Sequence, residues 1–180
     1  DRLVVDIGGG STEFVRGAND RAEMLESATV GCVSLTQRWF PKGAITRDAF
    51  ERAYYAARDV LAPIALAYRE RGWRYAVGTS GTAKALAQIA QLNFGGTGLT
   101  RDGLAQIEWV LVKAGHVDRA RLDGLRADRR PVMAGGLAVM SAVFDELGVE
   151  EMSYCAAALR QGVLYDLLGR SSGTDMREIT

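Results

Sequence analysis

Leu3-Val4-Val5-Asp6-Ile7-Gly8-Gly9-Gly10-Ser11-Thr12-Glu13 opens the chain almost at its first residue, and its reading decides the fold. Leu3 to Ile7 is apolar and β-branched, the pattern of a buried strand. Gly8 to Ser11 is a turn. Thr12 to Arg16 alternates into a second strand, so the segment predicts a hairpin. Three consecutive glycines have no Cβ atoms, which lets the backbone turn tightly and an anion approach its N–H groups. No Gly-Lys-Ser/Thr follows, which excludes the P-loop. A strand rather than a helix follows the turn, which excludes the dinucleotide fingerprint. The segment reads as a phosphate cradle formed by Gly8, Gly9, Gly10, Ser11 and Thr12.

Asp6 interrupts an apolar strand. A carboxylate there is costly unless it binds a cation or accepts hydrogen bonds. Beside a phosphate loop, Mg²⁺ is the natural partner, because it commonly takes one or two carboxylates and fills its octahedron with waters and phosphate oxygens. Glu13, two residues past the loop, returns toward the same site to orient a water. The competing reading is a plain glycine turn with a structurally hydrogen-bonded Asp. The combination of Asp, three glycines, Ser and Glu at these spacings favours the functional one.

A second candidate loop is Val77-Gly78-Thr79-Ser80-Gly81-Thr82. It joins a strand, Trp73 to Val77, to a helix capped by Thr79 or Ser80 and running to Leu92. A helix start favours an anion or nucleotide, and Gly78 and Gly81 permit close approach. An ordinary N-cap with a tight turn would look the same locally.

Outward from these loops, Ala22 to Val30 predicts a third strand and Val33 to Phe40 a short helix stopped by Pro41. Thr46 caps a long helix to about Glu70, with apolar residues three or four apart and an expected kink at Pro63. Thr100 caps a helix to Ala114, and a short helix is expected around Asp118 to Leu122. Met133 to Leu147 reads as a buried helix, Met152 to Cys155 as a last strand and Leu159 to Leu168 as a last helix. Strands and helices interleave, which predicts an α/β domain with a mixed sheet.

The 180 residues suffice for one domain with a real core. Lys plus Arg and Asp plus Glu are each 22, so the formal net charge is zero. That argues against nucleic-acid binding through bulk positive charge and against a polybasic membrane anchor. Val60 to Tyr68 is too short to span a bilayer, and Met133 to Phe144 carries Gly and Ser. Two cysteines make no disulfide framework, so a reducing cytoplasm is expected. Cys32 and Cys155 are expected to be buried and inert. The single histidine, His116, excludes His-rich zinc sites and reads as a surface or capping residue. Trp39, Trp73 and Trp109 read as core or domain-contact anchors. Most of the arginines between Arg119 and Arg130 are offset by Asp118, Asp123 and Asp128 and read as a solvated face.

Together these segments resemble the exopolyphosphatase/guanosine pentaphosphatase (Ppx/GppA) family, within the actin, sugar-kinase and heat-shock-chaperone ATPase superfamily. Leu3 to Glu13 looks like the family's second phosphate motif. Gly31-Cys32-Val33-Ser34-Leu35-Thr36, Gly78-Thr79-Ser80-Gly81-Thr82, Arg129 to Gly136 and Leu159-Arg160-Gln161-Gly162 resemble its later blocks, with Gln161 where Glu is more usual. The resemblance implies an actin-like (ribonuclease H-like) fold and makes residues 1–170 the second of two such domains around a cleft, with 171–180 a tail or linker. It implies release of the terminal phosphate of polyphosphate or of the 5′ γ-phosphate of guanosine pentaphosphate. Asp6 would be a Mg²⁺ ligand, Glu13 would position metal or water, and Arg129 would face the anion.

The family's first domain carries another phosphate loop and the glutamate taken as general base, and neither is among these residues. The C-terminal HD-like domain of longer members is absent too. With the strand beginning immediately after Asp1, the expectation is a chain cut at a domain boundary, binding poorly and turning over little alone. The missing first domain is its expected partner, and a homodimer of the parent is kept open. A non-catalytic phosphate- or nucleotide-binding actin-like module is the alternative. A sugar or acetate kinase half is disfavoured, because the blocks beyond the phosphate loop point elsewhere.

Overall fold

The computed structural model describes residues 1–18 and 21–156. Six strands form one mixed sheet: β1 (Arg2–Ile7), β2 (Thr12–Ala18), β3 (Arg21–Ala28), β4 (Tyr75–Gly78), β5 (Leu99–Thr100) and β6 (Glu151–Tyr154). Their order is β3-β2-β1-β4-β6-β5. β1, β2 and β3 are antiparallel neighbours, β4 and β6 run parallel to β1, and β5 is antiparallel to β6. Among the described residues, five α-helices flank the sheet: α1 (Cys32–Trp39), α2 (Arg47–Arg71), α3 (Gly81–Phe94), α4 (Arg101–Ala114) and α5 (Met133–Leu147). The expected hairpin, mixed sheet and long helices are all present. The last helix expected at Leu159 to Leu168, and the tail, lie outside the described residues.

Strand alternation divides the sheet. Leu3, Val5, Ile7 and Phe14 are buried, whereas Val4, Asp6, Glu13 and Val15 are only partly covered. The buried set packs against the helices. Phe14 meets Tyr68 of α2 edge-on with ring centroids 6.0 Å apart. The Tyr68 hydroxyl donates to the Phe14 carbonyl at 3.0 Å. Burial pushes that phenol up to about 12. α5 is buried along nearly its whole length. Its small residues admit its neighbours: a Cβ on Gly136 would lie 2.7 Å from Thr82 of α3. Each fully buried Leu, Ile or Phe of this core contributes about 1.5–3 kcal/mol.

Caps end the helices where the sequence places them. The Thr46 and Thr100 side chains accept from Ala49 and Gly103 N–H. α2 continues through Pro63 as one element of 25 residues. Pro63 and Asp59, whose carbonyl loses its i+4 donor, are both exposed, so water can take that carbonyl.

Three expectations are corrected. The short helix around Asp118 to Leu122 is a 3₁₀ turn at Val117–Arg119, capped by His116, whose ring accepts from Asp118 N–H. The strand after α2 starts at Tyr75 rather than Trp73. Cys32 is buried, but Cys155 is exposed just beyond β6. Of the two places expected for Trp109, the core is excluded: the side chain is 56% exposed, and its indole takes the Lys113 ammonium 4.4 Å from the ring centroid.

Candidate functional site

Parallel β1 and β4 end side by side, and each ends in a candidate loop. Pocket-forming loops of open α/β sheets lie outside the carboxyl ends of the strands, and a pocket of about 550 Å³ lies there. It brings together Asp6, Gly8, Gly9, Thr79, Ser80, Gly81 and Arg129. Gly10, Ser11, Thr12, Glu13 and Gly78 complete its surroundings rather than its wall.

The hairpin register explains the two carboxylates. Ile7 pairs with Thr12, so Asp6 stands directly opposite Glu13, and Glu13 opposite Ser27 of β3. Directly opposed residues share a face, with Cβ atoms about 4.5–5.5 Å apart. On the other side of β1, the Thr79 hydroxyl donates to Asp6 Oδ2 at 2.9 Å. The end of the sheet therefore carries one polar row, Ser27–Glu13–Asp6–Thr79. Ser11 Oγ donates to Glu13 Oε1 at 2.5 Å and Ser27 Oγ donates to the same oxygen at 3.2 Å. The other oxygen, Oε2, lies 4.0 Å from where a Gly8 Cβ would be. Ser27 was missed by sequence reasoning. Its only signal is that a third strand following the hairpin must place some residue opposite Glu13.

The cradle is oriented from behind by α1. Cys32 N–H donates to Gly8 O at 3.0 Å, while Val33 and Ser34 N–H donate to Gly9 O at 2.9 and 3.1 Å. A peptide plane points its N–H opposite to its C=O, so binding the carbonyls to α1 turns the following N–H groups away from it. Among the described residues, the N–H groups of Gly9 and Gly10 have no backbone acceptor. Gly31 makes this docking feasible: a Cβ there would sit 2.5 Å from the Gly9 carbonyl. Thr12 faces inward instead, its hydroxyl donating to Val30 O at 2.7 Å, which fastens β2 to the chain before α1. Gly78 is also a packing position, since a Cβ would lie 2.6 Å from Ala83 of α3.

On the facing wall, the Ser80 hydroxyl accepts from Ala83 N–H at 3.2 Å and caps α3. The first-turn N–H groups of Gly81 and Thr82 are left at the positive end of a 14-residue helix. The Arg129 guanidinium lies over Gly81, where a Cβ would be 2.8 Å from its Cζ. Arg129 Nε stands 3.5 Å from Asp128 Oδ2, and Asp128 also accepts from Arg126 Nε at 3.0 Å. The Arg126 hydrogen bond, aided by the charges of Arg126 and Arg129, lowers the Asp128 pKa. Arg130, by contrast, donates to Val117 O and Ala120 O and is structural.

The donor set suits a hard cation shared with a ligand rather than a closed metal cage. Among the described residues, no three His, Cys, Asp or Glu side chains cluster to hold an ion. Two adjacent carboxylates with hydroxyl partners fit Mg²⁺, which retains waters and phosphate oxygens. Opposed like charges also destabilise a strand pair until a cation arrives. No described helix is long and apolar enough to cross a membrane.

Comparison with known proteins gives a consistent outcome. The profile of the Ppx/GppA phosphatase family matches residues 1–171. A guanosine-5′-triphosphate,3′-diphosphate pyrophosphatase of Aeromonas hydrophila is 39% identical over all 180 residues, and that of Aeromonas salmonicida is 38% identical. The chain spans 36% of the length of each. Among solved structures, a Ppx/GppA phosphatase of Aquifex aeolicus superposes with a TM-score of 0.74 at 23% identity, over 91% of this chain and 55% of that one. An exopolyphosphatase of Cytophaga hutchinsonii gives 0.75 at 21%, over 96% and 57%. These structures share the mixed sheet and its flanking helices.

Proposed function

Since the chain belongs to the Ppx/GppA phosphatase family, we propose that it forms one half of a phosphoanhydride hydrolase. The enzyme would release the terminal phosphate of inorganic polyphosphate or the 5′ γ-phosphate of guanosine pentaphosphate, in a reducing cytoplasm. The observation that carries the reading is the polar row at the end of β1, where Asp6 and Glu13 face each other beside the Gly8–Gly10 loop.

Phosphoryl transfer passes through a loose transition state, so positioning and charge stabilisation supply most of the catalysis. Gly9 and Gly10 would donate N–H groups to the phosphate being transferred. Arg129 and the start of α3 would hold the adjoining phosphates on the opposite wall. Asp6, oriented by Thr79, and Glu13, oriented by Ser11 and Ser27, would hold Mg²⁺ and its waters. The bound ion would supply charge neutralisation for the phosphate oxygens. Glu13 Oε2, the oxygen on the Gly8 side, would orient the attacking water.

The general base would come from a preceding domain of the same polypeptide, facing this one across a cleft, as the family resemblance implies; the chain spans only part of the length of its relatives. On its own the chain would then act as a phosphate-binding module with little turnover. The test is phosphate release from long-chain polyphosphate and from guanosine pentaphosphate, with Mg²⁺ and with EDTA. It should be run on the chain and on a polypeptide that includes the preceding domain. Mg²⁺-dependent release by the longer protein is expected, and the preferred substrate follows from the ratio of the two rates. No release from either substrate by the longer protein would sink the proposal.

A further inference from the structure

We propose that Asp128 is a built-in anion that holds Arg129 in the absence of substrate and competes with phosphate for it, so that this carboxylate weakens the pocket's phosphate affinity. The inference rests on reading the pocket as a phosphate site.

Asp128 and Arg129 line the same pocket wall. The Arg129 guanidinium lies over Gly81, the first residue of α3. A helix's positive end repels a cation placed there, and an anion beside the arginine offsets that repulsion. Asp128 Oδ2, 3.5 Å from Arg129 Nε, is that anion. Arg126 Nε, 3.0 Å from Asp128 Oδ1, fixes the carboxylate at the rim. The pocket is thus assembled around a negative charge of its own.

An arriving phosphate meets an arginine already engaged and a carboxylate that repels it. Asp128 acts through Arg129 and is a positioning residue. Both side chains are substantially exposed, so replacing them leaves the fold intact.

The experiment titrates sodium tripolyphosphate, with no added metal and at low ionic strength, into four proteins: the chain, Asp128→Asn, Arg129→Gln and the double variant. Calorimetry reads affinity, and circular dichroism confirms folding. Asp128→Asn should bind about twofold to fivefold more tightly than the parent chain. The same substitution should give no gain in the Arg129→Gln background. A purely structural role for Asp128 would not produce a gain. Equal or weaker binding by Asp128→Asn overturns the proposal. A gain that persists without Arg129 overturns it too, because the carboxylate would then act as a general repulsive charge. If the parent chain binds and only the gain is missing, the phosphate reading stands and this inference alone falls. If none of the four binds, both fall.

Discussion

The β1–β2 pair has acidic residues at or beside both its ends, and the two ends treat them in opposite ways. At the end far from the pocket, Asp1 and Glu23 of β3 meet Arg16, a buried arginine of β2. Arg16 also donates to the Gly72 carbonyl at 3.1 Å. Charge is matched by charge, and every strong donor finds an acceptor. At the pocket end, among the described residues, Asp6 and Glu13 meet only hydroxyls, from Thr79, Ser11 and Ser27. Hydroxyls fix the direction of a carboxylate without neutralising it. Among the described residues no cationic side chain pairs with either. The same sheet neutralises its acids at one end and leaves them unneutralised at the other, beside the proposed ligand site.

The comparison breaks most sharply at Asp6. Asp6→Asn keeps the Thr79 hydrogen bond but removes a charge from the site. In a polypeptide carrying the preceding domain, phosphate release should fall about 100-fold, as for loss of a metal-orienting group. The thermal midpoint of the chain should stay level or rise, because a like-charge pair has been relieved. A rate within threefold of the parent would place Asp6 with the structural acids at the other end.

The mirror experiment is Arg16→Leu. It leaves Asp1 and Glu23 without their cation, but both are substantially exposed and water reaches them. Denaturant unfolding should show a loss of about 2 kcal/mol, below that for a fully buried pair. The turnover of what remains folded should be unchanged. A loss of activity without a loss of stability would erase the distinction between the ends.

The smallest effect belongs to Ser27→Ala. Glu13 keeps Ser11 and loses one of its two orienting hydroxyls. Turnover should fall about threefold, near 0.6 kcal/mol, the scale of a single exposed hydrogen bond. No change would mean that Ser11 alone orients the carboxylate.

The sequence exposes what local physics determines. A strand, three glycines and a second strand can only make a hairpin, and Thr46, Ser80 and Thr100 announce helix starts through their own hydroxyls. Even the opposition of Asp6 and Glu13 follows from counting outward across the Gly8–Ser11 loop. What remained hidden depends on distant register. Ser27 reaches Glu13 only because β3 pairs residue by residue with β2. β5 has two residues and no periodicity to detect. Asp128 was counted among charges that offset a solvated face, and nothing nearby in sequence says that the arginine beside it reaches Gly81. Thr12 was read with the phosphate ligands because it follows the loop, whereas strand alternation turns it to Val30.

The docking of the glycine loop onto α1 has an entropic consequence. A run of three glycines is the most mobile backbone a chain can contain, yet here Gly8 and Gly9 are tied to three successive helical N–H groups. The disorder that a free glycine loop would lose on gripping its ligand, about 1–2 kcal/mol per residue, has already been lost when the chain folded. The loop is a fixed surface from the moment the chain folds.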